Sequence, residues 1–285
     1  MKLNKNVKKH TKQSLKGNRI CLVCAVMMIF ILTASIIFFE KMVTDISNTP
    51  PYIPQNNNNS VAIFSTVPNL SFKSFYITSV TIIIYAVIIK PLWAGFKKIT
   101  VGCVMKSYGY FFHILYFFRN YKLYCKILFL NLYLFIRTAI IGLIFTLPGI
   151  AVIIFDVFYS KSELFLFIKI NQYSVTFISF MGVILFLLGW LLKSIYISKF
   201  SLAIYLLIKS PKLSIFKCVK YSCIYTKGQI SNLVSFKLSF IPLMLLGMLI
   251  IPIFYILPYY ISCYSAYAMY LIEKGTHVDN QNEEV

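Results

Sequence analysis

Long apolar runs alternate with shorter basic stretches along most of the chain. A helix needs about 20 apolar residues to cross the hydrocarbon layer of a bilayer. The pattern therefore predicts an all-α, polytopic membrane helix bundle of about six transmembrane helices. The predicted spans cover residues 20–39, 74–93, 127–150, 174–194, 232–252 and 253–272.

These spans divide the chain into three parts. Residues 1–19 form a basic N-terminal segment, residues 20–272 form the membrane domain, and residues 273–285 form a polar tail. Only Pro252 and Pro258 separate the last two spans, so we expect a tight hairpin there. The first apolar run is too long for a signal peptide and lacks a small-residue cleavage site, which predicts an uncleaved anchor.

Lysine and arginine are distributed unevenly between the two sides of the predicted membrane. The N-terminal segment carries seven of these residues, and so do the segments after the second and fourth spans when Lys90 and Lys193 at the ends of those spans are counted, whereas the opposite segments carry two, two and none. Cytoplasmic loops are enriched in Lys and Arg. We therefore expect both termini to be cytoplasmic.

Composition narrows the class further. Apolar residues make up 59% of the chain and the formal net charge is +20. A disordered basic tail would not be so apolar, and a soluble nucleic-acid binder would not carry such long uncharged runs. Richness in Lys, Ile, Asn, Phe and Tyr favours a low-GC Gram-positive source, which places the protein in a bacterial cytoplasmic membrane.

The cytoplasmic segments mix lysine with apolar and aromatic residues, which predicts basic amphipathic helices in the headgroup layer. The alternative is that they are ordinary loops folded against the bundle. Gly17 and Gly228 each follow a lysine just before a predicted span, which suits left-handed helix C-caps, and Asn120 takes the corresponding place before the third span. The predicted apolar stripes contain Phe111, Ile114, Leu115, Phe118 and Cys125, and then Ile215, Phe216, Val219 and Cys223.

Groups that could perform chemistry are sparse, so we expect no enzyme activity, no metal and no cofactor. Cys21 and Cys24 have the spacing of half a zinc or redox site, but no second pair matches them, which favours simple packing. The eight acidic residues lie outside the centres of the predicted spans, which disfavours ion-coupled transport. A membrane enzyme acting on lipid is the alternative, and it would depend on His113, Asp156 or Glu163.

Arg137 is the one possible charge deep within a span. If the third helix enters the membrane at Ile127, Arg137 lies about 15 Å along it, near the midplane. If the span is instead 138–155, Arg137 reaches the headgroups with its flexible side chain. The pattern leaves both positions open. Lys237 is expected near the cytoplasmic end of the fifth span, within similar reach.

Several short motifs follow one another along most of the chain. They are Ser14–Asn18, Lys90–Phe96, Leu147–Ile150, Lys220–Ser222, Lys227–Gly228, Leu238–Ile241, Pro258–Tyr259 and Ala268–Tyr270.

The order of these motifs resembles a bacterial multi-pass membrane family, the domain of unknown function nine-seven-five. It is also distantly similar to the membrane domain that accompanies some glycerophosphodiester phosphodiesterases. The chain differs in having Pro242-Leu243 where the family commonly has Gly-Trp, and in an added stretch that contains the fourth span. The resemblance implies a polytopic fold and no catalytic residues.

The expected function is that of a non-enzymatic membrane protein whose basic cytoplasmic face holds anionic phospholipid or a partner. Membrane organisation, export and immunity to a membrane-active peptide are the roles considered. A permease subunit is an alternative, with 209–227 as its coupling helix. The expected partners are anionic phospholipids, a second copy or an ATPase, and not nucleic acid. Candidate contact residues are Lys97, Lys98, Lys106, Arg119, Lys122, Lys126, Arg137, Lys212, Lys217, Lys220 and Lys227.

Overall fold

Helices make up almost all of the backbone that the computed structural model of the chain describes. It describes residues 2–48, 67–105, 111–161, 172–247 and 250–283, and these contain no strand. The predicted all-α class is confirmed. The helices are α1 (Lys2–Ser14), α2 (Arg19–Asn48), α3 (Val67–Val104), α4 (Tyr116–Arg119), α5 (Tyr121–Lys161), α6 (Gln172–Ile197), α7 (Ala203–Lys209), α8 (Ile215–Thr226), α9 (Ile230–Leu238), α10 (Ile241–Leu246) and α11 (Ile250–Glu283). Short 3₁₀ turns cover Phe111–Leu115 and Ser198–Phe200.

Four segments of the described chain are long and apolar enough to cross a membrane, so the protein is a multi-pass membrane protein. A fifth is possible if α8, α9 and α10, which bend by 86° at a break, form one span. The first four predicted spans overlap the four segments, and a count of six stays a prediction. The segments are Arg19–Asp45, Phe75–Val104, Tyr121–Ile154 and Phe180–Lys209.

The hairpin expected at Pro252 and Pro258 is not formed there. Residues 250–283 form one continuous helix that passes through both Pro252 and Pro258. The predicted span 232–252 is also divided, because α9 ends at Leu238 and α10 begins at Ile241. Proline lacks only one backbone donor, and a membrane helix can tolerate that loss when neighbouring groups compensate.

Two compact units make up the chain. The first contains Met1–Leu128 and Met244–Ala266, and the second contains Phe129–Leu243 and Tyr267–Val285.

In the first unit, α2 and α3 pack together around a shared apolar core. The 3₁₀ turn at Phe111 packs closely on α3, and Gly95 makes this possible because a Cβ there would collide with the backbone carbonyl of Ile114. The hydroxyls of Thr100 and Ser265 share a buried hydrogen bond of 2.7 Å beside this core. Its main residues are Leu22, Val26, Ile29, Leu92, Phe96, Ile99, Ile114 and Ile261.

Helix α1 is docked on the first unit. Thr11 is fully buried and Leu15 is 4% exposed as part of the apolar core. Lys5, Lys9 and Lys12, spaced as one helical face, are exposed. The basic N-terminal segment is therefore an amphipathic helix that covers part of the bundle.

In the second unit, α5 and α6 approach each other through glycine. A Cβ on Gly149 would lie 2.5 Å from the backbone nitrogen of Phe186, and one on Gly189 would collide with the carbonyl of Phe145. A Cβ on Gly142 would lie 2.7 Å from the Nζ of Lys193, so a side chain of α6 lies against this glycine. Small residues let membrane helices bring their backbones close together, and these contacts fix the antiparallel register of α5 and α6.

Candidate functional site

The second unit brings two cations and three aromatic rings together where α6 ends. We call this group the cation–aromatic cluster, and it consists of Arg137, Lys199, Tyr133, Tyr196 and Phe200. Helix α5 supplies Tyr133 and Arg137 one turn apart, while the end of α6 and the following 3₁₀ turn supply the others.

Arg137 is held from two sides. Its Nη1 donates a hydrogen bond of 3.1 Å to the hydroxyl of Tyr133, and the hydroxyl of Tyr196 lies within reach as well. The guanidinium carbon lies 4.5 Å from the centre of the Phe200 ring. Stacking on an aromatic face and hydrogen bonding to phenols orient the guanidinium without neutralising its charge.

Lys199 adds a second positive charge to the cluster. Its ammonium lies 4.6 Å from the centre of the Tyr196 ring. The thiol of Cys223 on α8 is near both Arg137 and Lys199, so the two cations face a common region. Both side chains are half-buried and remain partly accessible.

Helix α8 is fixed beside the cluster by hydrogen bonds to backbone. The hydroxyls of Ser222 and Thr226 donate to the carbonyl oxygen of Lys199, at 2.7 and 3.4 Å. The Phe216 ring packs edge-on against Tyr133 with centroids 5.5 Å apart. These contacts satisfy a carbonyl at the end of the 3₁₀ turn and hold α8 level with Arg137.

The charge around the cluster is not balanced locally. Within the described part of the chain, no carboxylate forms an ion pair with Arg137 or Lys199. Lys237 lies close by and donates a hydrogen bond of 2.9 Å to the buried hydroxyl of Ser198. Excess positive charge in a poorly solvated region is stabilised by an anion.

The surroundings of Arg137 bear on its two predicted positions. It lies level with Lys199, with the end of α6 and with the basic helix α8, and not beside the apolar middle of α6. These contacts describe the neighbours of Arg137 within the second unit, while the segment Tyr121–Ile154 extends to both sides of it, so both of its predicted depths in the bilayer stay predictions.

The first unit carries a second basic surface. The ammonium of Lys98 lies over the face of the Tyr116 ring. Tyr116 also lines an open groove of about 750 Å³, together with His113 and the exposed Arg119. This groove combines apolar walls with cationic and polar groups, and it is formed by the 3₁₀ turn, α4 and the start of α5. Its other lining residues are Phe112, Leu115, Asn120 and Leu123.

Most of the candidate contact residues are accessible, but they fall into separate groups. Lys97, Lys98 and Lys126 are half-buried, and Lys106 lies outside the described residues. The exposed members are Arg119, Lys122, Lys212, Lys217, Lys220 and Lys227. Arg137 is the one candidate within the cation–aromatic cluster, and its other members, Tyr133, Tyr196, Lys199 and Phe200, were missed.

The predicted apolar stripes are rotated from the buried faces. On α8 the buried residues are Cys218, Val219, Ser222 and Thr226, whereas Phe216 is 70% exposed. In the earlier segment Ile114 and Phe117 are buried, while Leu115 and Phe118 are exposed. Helix α8 buries the hydroxyl side chains of Ser222 and Thr226, and the earlier segment changes from a 3₁₀ turn to an α-helix. A search for apolar residues spaced by 3.6 positions detects neither feature.

Of the two glycines predicted to form left-handed helix caps, Gly228 does so and Gly17 does not. Gly228 has a φ of +76° after the end of α8, as expected for a left-handed cap. Gly17 does not adopt a positive φ, and Asn120 is extended, with φ −125° and ψ 108°. The similarity of these three segments in sequence therefore does not extend to their backbones.

Of the three groups weighed for enzyme chemistry, the structure describes the side chain of His113 alone. Glu163 and the side chain of Asp156 lie outside the described residues, and His113 lines the groove of the first unit. Cys103 on α3 comes near Cys21, a proximity that the sequence did not reveal. Among the residues that the structure describes, no group of three or more His, Cys, Asp or Glu side chains could hold a metal ion.

Comparison with known proteins gives no relative: no family model, curated protein or solved structure matches this chain.

Proposed function

We propose that this protein is a non-enzymatic component of the bacterial cytoplasmic membrane whose basic cytoplasmic face binds anionic phospholipid. The observation that carries the proposal is the outward surface of α8. Lys217 and Lys220 are exposed there beside the exposed Phe216 and Ile224. Lysines mixed with apolar side chains suit a layer in which phosphates and acyl chains meet.

The inward face of α8 explains why that surface points outward. Ser222 and Thr226 are bound to the carbonyl of Lys199, and Cys218 and Val219 are buried. The helix therefore has one possible orientation, and its lysines do not pack against the bundle. Lys212 and Lys227, which flank the helix, are exposed as well.

The first unit supports the same proposal independently. Ile114 and Phe117 anchor the 3₁₀ turn and α4 by burial, whereas Arg119 and Lys122 are exposed. On α1, Thr11 and Leu15 are buried while lysines occupy the opposite face. Each unit thus carries segments that bury one side and present cations on the other, at about 1 kcal/mol per cation near an anionic surface.

Trp190 allows this proposal to be tested in the second unit. The chain has two tryptophans, and Trp190 on α6 is 60% exposed. In a Trp93→Phe background, brominated phosphatidylglycerol should quench its fluorescence more strongly than brominated phosphatidylcholine. Replacing Lys212, Lys217, Lys220 and Lys227 by Gln should lower this preference by up to several-fold for each cation removed, because each contributes about 1 kcal/mol near an anionic surface.

The matched control keeps the charge. Arginine at the same four positions should preserve the preference for phosphatidylglycerol, and raising the salt concentration should weaken it in both proteins. Equal quenching by the two lipids in the starting protein, or an undiminished preference in the glutamine variant, would contradict the proposal.

We also propose that the chain is related to the domain of unknown function nine-seven-five family. In two of the motifs behind that resemblance, close backbone contacts require the glycine. Gly95 in Lys90–Phe96 admits the backbone of Ile114, and Gly149 in Leu147–Ile150 admits the backbone of Phe186. Residues needed for close backbone contact are those that distant relatives would share.

A further inference from the structure

We propose that the cation–aromatic cluster is a specific site for one phosphate group, carried by the headgroup of an anionic lipid. This inference deepens the proposed function and rests on it for the source of the phosphate. It goes further in assigning a stoichiometric site to Arg137 and Lys199, separate from the diffuse attraction of the lysines on α8.

The first reason is the orientation of Arg137. Tyr133 binds one nitrogen of its guanidinium at 3.1 Å, and Phe200 covers one face of it at 4.5 Å. A guanidinium has five N–H donors, so the contacts with Tyr133 and Tyr196 leave further donors of the planar fork available. Such a fork, fixed in direction beforehand, is suited to bind two phosphate oxygens.

The second reason is the convergence of charge. Lys199 lies over the Tyr196 ring, whose hydroxyl is within reach of Arg137, and Cys223 lies near both cations. No described carboxylate pairs with either cation, so their charges add at the region that they face. A phosphate carries the charge that the site lacks.

The third reason is the shape of the surroundings. Aromatic rings make up most of the cluster, and the adjacent helix α5 presents exposed apolar residues such as Phe135 and Ile136. A free phosphate would leave those surfaces uncovered, whereas the acyl chains of a lipid would cover them. We therefore assign the phosphate to a lipid and not to a soluble anion.

The test is a titration of the purified full-length protein in neutral detergent. Dioctanoyl phosphatidic acid should raise the unfolding temperature saturably, with one lipid bound per chain, and dioctanoyl phosphatidylcholine should do so far more weakly. Arg137→Gln and Lys199→Gln should each weaken the apparent affinity for phosphatidic acid about tenfold or more. Lys209→Gln is the matched control, because Lys209 is exposed in the same unit and lies outside the cluster.

Inorganic phosphate at matched concentration distinguishes the two sources. No shift with inorganic phosphate supports a lipid ligand, whereas a shift equal to that of phosphatidic acid overturns the lipid assignment. Wild-type affinity in both Arg137→Gln and Lys199→Gln overturns the site itself. If Arg137→Gln does not fold, Lys199→Gln decides alone.

The two experiments distinguish an error in the proposed site from an error in the proposed function. If the phosphatidic acid titration fails while Trp190 still detects a preference for phosphatidylglycerol, the specific site is wrong and the general lipid role remains. If both fail, the proposed function is wrong as well.

Discussion

Gly228 ends α8 with a φ of +76°, a conformation that L-residues with a side chain adopt at a cost. Gly17 follows a lysine in the same way, yet its φ is not positive and no atom lies within 4 Å of the place where its Cβ would be. The two glycines are alike in sequence and differ in the backbone that the surrounding chain imposes.

Replacing each of these glycines by alanine should therefore have opposite consequences. Gly228→Ala should lower the free energy of unfolding by about 1 kcal/mol, because alanine resists the left-handed conformation. Gly17→Ala should be neutral or slightly stabilising, because it restricts the unfolded chain without a native clash. Denaturant unfolding in detergent measures both, and equal effects would show that the two turns have the same backbone.

Only part of the cation–aromatic cluster could be predicted from the sequence. Arg137 stands out in an apolar run, and Tyr133 stands one turn before it. Lys199 and Phe200 lie more than sixty positions further along the chain, and their proximity to Arg137 depends on the packing of α6 beside α5. The sequence offered one signal for these residues. Tyr196, Lys199 and Phe200 are spaced by three and four positions just after a predicted span, which would place them on one helical face.

At the scale of elements, glycine sets how α5 and α6 meet. Gly149 faces the backbone of Phe186, and Gly189 faces the carbonyl of Phe145, so each helix presents a gap to the other. Without a hydrophobic driving force between helices in lipid, such close contact is a main source of their association. The register so fixed also determines which residues at the end of α6 lie beside Arg137.

A bulkier residue at Gly149 should separate these helices. Gly149→Val would place its Cβ 2.5 Å from the backbone nitrogen of Phe186, and we expect a loss of about 1–3 kcal/mol from overpacking. Ala139→Val, at an exposed position of the same helix, is the control and should change stability little. Thermal unfolding in detergent compares the two, and similar midpoints would argue against a tight contact between α5 and α6.

At the scale of the whole molecule, the alternation of basic and uncharged segments predicts the orientation in the membrane. The segment between α2 and α3, which contains residue 57, lies outside the described residues, and its neighbours carry little positive charge. The N-terminal segment is rich in lysine, and the structure folds it as a helix with an exposed lysine face. Translocating such a helix across the membrane is disfavoured.

Labelling of intact cells tests this orientation. A tag inserted at residue 57 should react with a membrane-impermeant reagent, whereas a tag at the N-terminus should react only after the cells are permeabilised. The same tags in permeabilised cells control for accessibility. Protection of residue 57 together with labelling of the N-terminus in intact cells would reverse the topology, and the basic face would then not be cytoplasmic.

The sequence alone determined that the chain is helical and crosses a membrane, because both properties follow from the length and spacing of apolar runs. The described residues confirm this for four segments. The tertiary structure decided which face of α8 is buried, which glycine adopts a positive φ, and which cations meet at Arg137. These depend on contacts between residues far apart in the chain, and local periodicity carries no information about such contacts.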